Sequence, residues 1–299
     1  MSSANENKPN LFSPIRFGDL ELANRIIMAP LTRNRAAEGN VPQAMNVEYY
    51  RQRASAGLVI SEGSQISPQG LGYPGTPGIH SEAQVEGWLK VTDAVHKEGG
   101  LIFCQLWHVG RISHTSLQID GALPVAPSAL KPSGQIFTYT GLQDFETPRA
   151  LTTDEISGII ADYVTAAQNA KCAGFDGVEI HSANGYLLDQ FIRDCTNQRQ
   201  DQYGGDISNR MRLLIEVTEQ VVAVWGKNRV GVRLSPENSF NDMKDSHPQQ
   251  TFNAVATRLS DFPLAYLHIL EGDMMTGERN LDYVELRKCF NGYYMANNG

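Results

Sequence analysis

The sequence predicts an α/β fold built as a (β/α)8-type TIM barrel, and two observations favour it. Short apolar segments alternate with amphipathic segments along the chain, which is typical of parallel strands covered by helices. Polar residues recur at the C-terminal end of nearly every apolar segment, where barrels place their functional side chains. The alternative is a doubly wound sheet, but no G-x-G-x-x-G follows the first strand, so the dinucleotide-binding fingerprint is absent.

Seven segments have the composition of buried parallel strands, apolar on both faces and rich in branched and aromatic residues. They are residues 25–32, 57–66, 101–108, 177–183, 229–236, 265–272 and 292–299. Helical spacing of apolar residues predicts six helices, the third of which follows a Thr-Thr-Asp-Glu cap. They are residues 42–56, 81–98, 152–172, 208–224, 248–260 and 279–290. The basic stretch at 209–212 is expected on a solvent-exposed helix face.

Residues 109–150 are the one long stretch without this alternation, and they are rich in Gly, Pro, Ser and Thr. We expect a loop or hairpin there that lies over the barrel mouth as a lid. No linker divides the chain, so residues 1–299 are predicted to form a single domain.

The composition and charge exclude several classes of protein. The composition is that of a globular protein, with 41% hydrophobic and 19% charged residues. A net charge of −8 argues against nucleic acid or an anionic membrane surface as a partner. The sequence shows no run of 18 apolar residues, no secretory signal and no C-x-x-C pair among its four cysteines. We therefore expect a cytoplasmic protein with reduced thiols.

The polar residues at the predicted strand ends are poor in acids and rich in neutral hydrogen-bonding groups. A glycosidase needs two facing carboxylates, and Glu62, Glu179 and Glu271 qualify by residue type alone. A barrel metallohydrolase would show a close His-x-His pair and a Schiff-base aldolase a strand lysine, and neither is present. The remaining interpretation is a site for a planar, redox-active ring.

Four strand-end residues suit such a ring. Thr32 and Gln105 offer hydrogen bonds to its edge, and Gly63 has no side chain to keep a flat heterocycle away from the backbone. Arg233 offers a fixed positive charge that stabilises a reduced, anionic ring. The alternative for Arg233 is a salt bridge to Glu179 or Glu62, and for Gln105 a core amide bonded to backbone.

The segment GVEIHSANGYLLDQF, residues 177–191, begins as a strand and ends as a helix. His181, Asn184 and Tyr186 lie at the junction. Two neutral donors suit an oxygen atom that gains negative charge, and a phenol is suited to donate a proton. The alternative is that His181 is a structural histidine whose hydrogen bonds are satisfied within the core.

Several segments together resemble, in the same order, the old yellow enzyme family of FMN-dependent ene-reductases. The resemblance extends over residues 10–299. It is carried by IIMAPLTRNRA (26–36), YYRQRASAGLVISEGSQIS (49–67), GYPGTPGIHS (72–81), CQLWHVGR (104–111), GVEIHSANGYLLDQF (177–191), DQYGGDISNRMRLLIEV (201–217) and VGVRLSP (230–236).

The resemblance implies an NADPH-dependent enzyme that reduces the C=C bond of activated alkenes such as enones, enals and nitroalkenes, with ping-pong kinetics. In this family Thr32 would contact the flavin C4 carbonyl. Gln105 and Arg233 would contact the pyrimidine edge, and Pro30 and Gly63 would line the ring.

The resemblance also implies roles on the substrate side. His181 and Asn184 would bind the activating oxygen of an α,β-unsaturated substrate, and Tyr186 would protonate the α-carbon after hydride reaches the β-carbon. Tyr73 and Trp107, with Tyr186, would shape the substrate cavity.

Members of this family continue with an eighth strand and closing helices, which the fold predicted here lacks. We therefore expect a weakened site for the FMN phosphate and self-association through the open edges of strands one and seven. The alternative function is a truncated, flavin-free remnant with a non-catalytic or interaction role.

Overall fold

Seven parallel strands form the central sheet of the structure, a computed structural model that describes residues 8–298. The order of the strands in the sheet is their order along the chain. They are β1 Ile27–Met28, β2 Leu58–Gln65, β3 Ile102–Trp107, β4 Gly177–His181, β5 Val230–Leu234, β6 Tyr266–Glu271 and β7 Tyr293–Asn298. All seven predicted strands are therefore present, and six of them are one or two residues shorter at one or both ends than expected. The first was expected at 25–32 but has only two residues, so Thr32 lies in the loop after it and not at a strand end.

The predicted helices are also present, and helix and strand residues form one large buried apolar cluster. Thr152 caps the third helix as expected, because its side chain accepts a hydrogen bond from the backbone N–H of Glu155. The segment predicted at 208–224 is divided into two helices at Met211. The helices are α1 Ala44–Arg51, α2 Glu82–Lys97, α3 Thr153–Cys172, α4 Leu187–Ile192, α5 Ile207–Arg210, α6 Arg212–Trp225, α7 Pro248–Leu259 and α8 Tyr283–Lys288.

The expectation of a solvent-exposed basic face at 209–212 is wrong for Arg210. Its side chain is buried, with Nε 2.7 Å from the carbonyl oxygen of Ile192 and Nη1 2.7 Å from that of Gly205. These backbone carbonyls, at the end of α4 and before α5, satisfy the buried guanidinium of Arg210. The pattern of charged residues in the sequence does not reveal such backbone partners.

An N-terminal hairpin, Ile15–Phe17 paired with Leu20–Leu22, was not predicted. Its residues Phe17 and Leu22 belong to a second apolar cluster that includes Phe103 and Tyr266 on the central sheet. Strand residues are thus buried on both faces of the sheet, as their composition predicts. Within the described residues β1 and β7 have no strand paired on their outer sides, and self-association through these edges stays a prediction.

Residues 109–150 contain an antiparallel hairpin, Gln135–Thr138 paired with Gly141–Asp144. Ile136 and Phe145 are buried in a cluster that also contains Trp107 and Tyr186. The segment therefore packs beside residues predicted for the site. Its role as a lid stays a prediction, as does the single-domain interpretation. Across residues 8–298 no helix has the length and apolar character needed to cross a bilayer.

Glu62 on β2 holds the loop that follows β1. Its buried carboxylate accepts hydrogen bonds from the backbone N–H of Arg33 at 2.9 Å, from Asn46 Nδ2 at 3.2 Å and from the Tyr50 hydroxyl at 3.2 Å. Burial raises the pKa of this carboxyl, and the hydrogen bonds oppose that shift. One acidic side chain thus fixes the loop that carries Pro30 and Thr32.

Replacing Glu62 with alanine should lower the free energy of unfolding by about 3 kcal/mol or more, because the buried side-chain donors of Asn46 and Tyr50 and the part-buried N–H of Arg33 lose their acceptor. Urea unfolding near neutral pH measures the change. Glu48→Ala is the matched control, because Glu48 pairs with Arg51 on the exposed side of α1 and should matter little. Equal effects of the two substitutions would contradict the role given to Glu62.

Candidate active site

Nine of the ten residues predicted for the site line one cavity at the C-terminal ends of the strands. The enclosed space, about 60 Å³, holds only a few non-hydrogen atoms, so a larger ligand would reach these residues with one edge. The tenth residue, Tyr73, is adjacent, with its hydroxyl 3.3 Å from that of Tyr186. The nine are Pro30, Thr32, Gly63, Gln105, Trp107, His181, Asn184, Tyr186 and Arg233.

Arg233 on β5 brings a buried positive charge to the cavity. Its Nη2 donates to Asn297 Oδ1 at 2.9 Å, while its buried Nε has no hydrogen-bond partner among the described residues. Burial lowers the pKa of the guanidinium, and the negative charge of Glu179 acts against that shift. The alternative of a salt bridge is not found, since no ion pair joins Arg233 to Glu179 or Glu62 in residues 8–298.

Glu179 on β4 orients the amide of Gln105. One carboxylate oxygen accepts from Gln105 Nε2 at 2.8 Å and the other from His268 Nδ1 at 2.8 Å. Burial opposes ionisation, yet His268, Arg233 and the Gln105 amide together hold the pKa of the Glu179 carboxyl below its usual value. An ionised carboxylate only accepts hydrogen bonds, so the Gln105 amino group is committed to it. The carbonyl oxygen of Gln105 is left for a ligand.

His181 at the end of β4 is neutral. Burial, and then the positive charge of Arg233, hold the pKa of its imidazole well below the usual value. Its Nδ1 is buried and has no hydrogen-bond partner within the described part of the chain. The ring lies 5.1 Å from that of Tyr186, centroid to centroid, in an edge-on arrangement. His181 therefore offers an uncharged hydrogen-bonding group to the cavity.

The turn after β4 presents Asn184 and is held by a buried ion pair. Asn184 has a left-handed backbone, with φ of 58°, which asparagine adopts more readily than most residues. The next backbone N–H, of Gly185, donates to Asp189 Oδ2 at 2.9 Å, and Asp189 Oδ1 lies 2.8 Å from Arg193 Nε. Arg193 also donates to the carbonyl of Ser235. Asp189 lies on α4 and Arg193 directly follows it, and their i,i+4 spacing was the available sequence signal for this pair.

Aromatic rings form one wall of the cavity. Tyr73 stacks on Trp107 with centroids 5.8 Å apart, and Trp107 meets Tyr186 edge-on at 5.0 Å. A Cβ on Gly63 would lie 2.6 Å from Trp107 Cε3, so the position of the indole requires glycine there. Close approach of a ring cofactor to Gly63 stays a prediction.

Tyr186 keeps its proton near neutral pH. Burial raises the pKa of its phenol, while a hydrogen bond with Tyr73, another with Asn241 and the charge of Arg233 lower it less strongly. A protonated, buried phenol beside a neutral imidazole is suited to donate a proton to a bound molecule.

The sequence matches the NADH:flavin oxidoreductase / NADH oxidase family over residues 10–288. The chain belongs to this family, the old yellow enzymes. A flavin oxidoreductase of Emericella nidulans, hxnT, is 47% identical over 270 residues, which cover 87% of this chain and 69% of that protein. The 12-oxophytodienoate reductase 1 of Oryza sativa subsp. japonica is 45% identical over 295 residues, 97% of this chain and 76% of that protein.

Solved old yellow enzyme structures have the same fold. The homologue from Zymomonas mobilis superposes with a TM-score of 0.94 at 51% identity, covering 97% of this chain and 82% of that one. Morphinone reductase in complex with tetrahydroNAD gives a TM-score of 0.91 at 47% identity, covering 97% and 80% of the two chains. The TIM-barrel class predicted from the sequence is thereby confirmed.

The polar groups of this old yellow enzyme fit the FMN implied by its family. The edge of a flavin ring carries both donors and acceptors and becomes negatively charged on reduction. The cavity offers the acceptor of Gln105 and the cation of Arg233, whose buried Nε has no hydrogen-bond partner among residues 8–298. A buried donor without a partner is costly, so a ligand acceptor at this position resolves the cost.

A further buried histidine, outside the candidate site, affects stability. His108 follows β3, and its Nδ1 accepts from the backbone N–H of Gly110 at 3.1 Å. Burial lowers the pKa of His108 to about 3, whereas an unfolded histidine has a pKa of about 6.5. Below that higher value the unfolded chain binds one proton more than the folded chain, so stability falls as the pH falls.

His108→Gln should therefore flatten the pH dependence of unfolding. Glutamine keeps an acceptor for Gly110 but does not titrate. Between about pH 6 and pH 5 the slope of unfolding free energy against pH should decrease by about 1.2 kcal/mol per pH unit relative to the parent. Urea unfolding at several pH values gives both slopes, and identical slopes would show that His108 does not stay neutral in the fold.

Proposed function

We propose that the protein is an FMN-dependent NAD(P)H oxidoreductase that reduces the C=C bond of enones, enals and nitroalkenes, with NADPH as reductant. One observation carries the proposal. Two neutral hydrogen-bonding groups, a protonated phenol and a buried cation share one cavity. Names of relatives support it, among them a probable flavin mononucleotide-dependent alkene reductase of Leishmania infantum. The tetrahydroNAD bound to morphinone reductase supports a nicotinamide reductant.

One set of residues would hold the edge of the FMN ring. Gln105 offers its carbonyl oxygen to a ring N–H, because Glu179 engages its amino group. Arg233 would neutralise charge on the reduced ring, and Thr32 would bond the carbonyl at the other end of that edge. Pro30 and Gly63 also line the cavity and would contact the ring. When bound, FMN supplies the hydride chemistry.

A second set of residues would act on the alkene. His181 and Asn184 would donate hydrogen bonds to its activating oxygen and draw electron density from the C=C bond. The neutral state of His181 means that polarisation comes from hydrogen bonds and not from an imidazolium charge. Tyr186, which retains its proton, would deliver it to the α-carbon. Tyr73 and Trp107 would limit the orientation of the substrate.

Titration of the purified protein with FMN tests the cofactor. A yellow absorption band and quenched flavin fluorescence are expected, and Arg233→Met should weaken binding about 10-fold or more, because a charge-assisted hydrogen bond is lost. Arg258→Met on the exposed face of α7 is the matched control and should bind FMN as the parent does. Failure of the parent to bind FMN would favour the flavin-free alternative.

Tyr186→Phe should slow turnover of an enone by about 10²- to 10⁴-fold, with little change in enone affinity for the oxidised protein. The phenyl ring keeps the packing against Trp107 and loses only the proton. Tyr73→Phe removes the neighbouring hydroxyl and should slow turnover far less. Steady-state rates with NADPH or NADH measure both effects, and equal losses in the two variants would exclude Tyr186 as the specific donor.

A further inference from the structure

Asn184 is held at three of its atoms by the segment between β5 and α7. Its backbone N–H donates to Ser235 Oγ at 2.7 Å, and its backbone carbonyl accepts from Asn241 Nδ2 at 2.8 Å. Its side-chain oxygen, Oδ1, accepts from Asn238 Nδ2 at 3.0 Å. Asn238 is only 1% exposed, so this last bond is made away from solvent. The backbone contacts place Asn184, and the side-chain contact determines which end of its amide meets a ligand.

The orientation of both amides follows from a single backbone donor. The N–H of Phe240 points at Asn238 Oδ1, at 3.4 Å, and a backbone N–H can only donate. The oxygen of Asn238 therefore faces Phe240 and its amino group faces Asn184. An amino group in turn requires an acceptor, so Asn184 turns Oδ1 toward Asn238. The amino group of Asn184, a donor, is the end left for the cavity.

We infer that Asn238 is a positioning residue that keeps Asn184 a hydrogen-bond donor toward the ligand oxygen. The inference rests on the proposed function, in which Asn184 binds the activating oxygen of the substrate. An asparagine amide is nearly symmetric in shape, so its cavity end is a donor or an acceptor depending on its other partner. With Asn238 in place the cavity selects ligands that present an acceptor, such as a carbonyl or nitro oxygen. If the Asn184 amide were reversed, its Oδ1 would face the oxygen of the ligand, and the two acceptors would repel each other.

The Asn238→Asp variant tests whether Asn238 orients Asn184, because the aspartate changes from acceptor to donor as the pH is lowered. An ionised aspartate accepts only, so it should take the amino group of Asn184 and turn the carbonyl toward the cavity. A protonated carboxyl donates, and restores the parental orientation. The probe is cyclohex-2-enone, which does not titrate, added to the oxidised FMN-loaded protein without reductant and followed by calorimetry.

At about pH 8 the Asn238→Asp variant should bind the enone about 10-fold or more weakly than the parent, because a donor to the oxygen is lost. The difference should shrink as the pH is lowered to about 5. Other ionisable groups lie on the turn after β4, on the segment that carries residue 238, or against that segment, and titrating the parent over the same pH range accounts for them. They are Arg111, Tyr186, Asp189, Arg193, Glu237, Asp242 and Asp273. Asn291→Asp, the same change at an exposed position, should follow the parent throughout.

Two further variants separate positioning from general support of the fold. Asn238→Ala leaves Asn184 without an orienting partner and should weaken enone binding by a few-fold at every pH. In the Asn184→Ala background, Asn238→Asp should cause no additional loss and no pH dependence, because residue 238 acts through Asn184.

The outcomes distinguish the inference from the proposed function. A parent protein that binds FMN but not the enone would overturn the proposed function. A parent that binds both, with Asn238→Asp equally tight at pH 8 and pH 5, would overturn the inference alone. If Asn238→Asp fails to fold or to retain FMN, the Asn238→Ala variant provides the test. Enone affinity equal to that of the parent would overturn the inference. A few-fold loss of affinity that disappears in the Asn184→Ala background would support it.

Discussion

The carboxylate of Glu179 joins three strands beneath the cavity, and much of the geometry of the site depends on it. It accepts hydrogen bonds of 2.8 Å from Gln105 on β3 and from His268 on β6. β4 and β6 are not neighbours, because β5 lies between them. In a flat sheet two such strands are about 9–10 Å apart. The bond to His268 therefore requires a sheet that curls so that its inward-facing side chains converge.

The same carboxylate allows the site to bury a cation. Arg233 projects from β5, the strand that Glu179 reaches across. A buried guanidinium without compensation is costly, and the charge of Glu179 opposes the effect of burial on the Arg233 pKa. Burial and the charge of Arg233 then both disfavour protonation of His181. The site that results combines one fixed positive charge with uncharged hydrogen-bonding groups, which suits an anionic ring beside a polarised carbonyl.

Most of the fold was predictable because it is encoded in local periodicity. All seven strands and every predicted helical segment were found. Among the largest differences in bounds are those at the C-terminal ends of β1 and α1, which stop four and five residues before the expected positions 32 and 56. The N-terminal hairpin was missed because strands of three residues show only one alternation of apolar and polar positions. Site residues such as His181 and Arg233 were predicted together because parallel strands bring their carboxyl ends to one side of a barrel.

The sequence by itself determined the order of strands and helices, and its motifs identified nine residues that share the cavity. Only the tertiary structure decided how those residues are oriented. Glu179 directs Gln105 from 74 residues away, and Asn238 directs Asn184 from 54 residues away. The donor or acceptor end of an amide is chosen by the atoms it meets in space. Those atoms come together only when the sheet curls, so no local pattern specifies them.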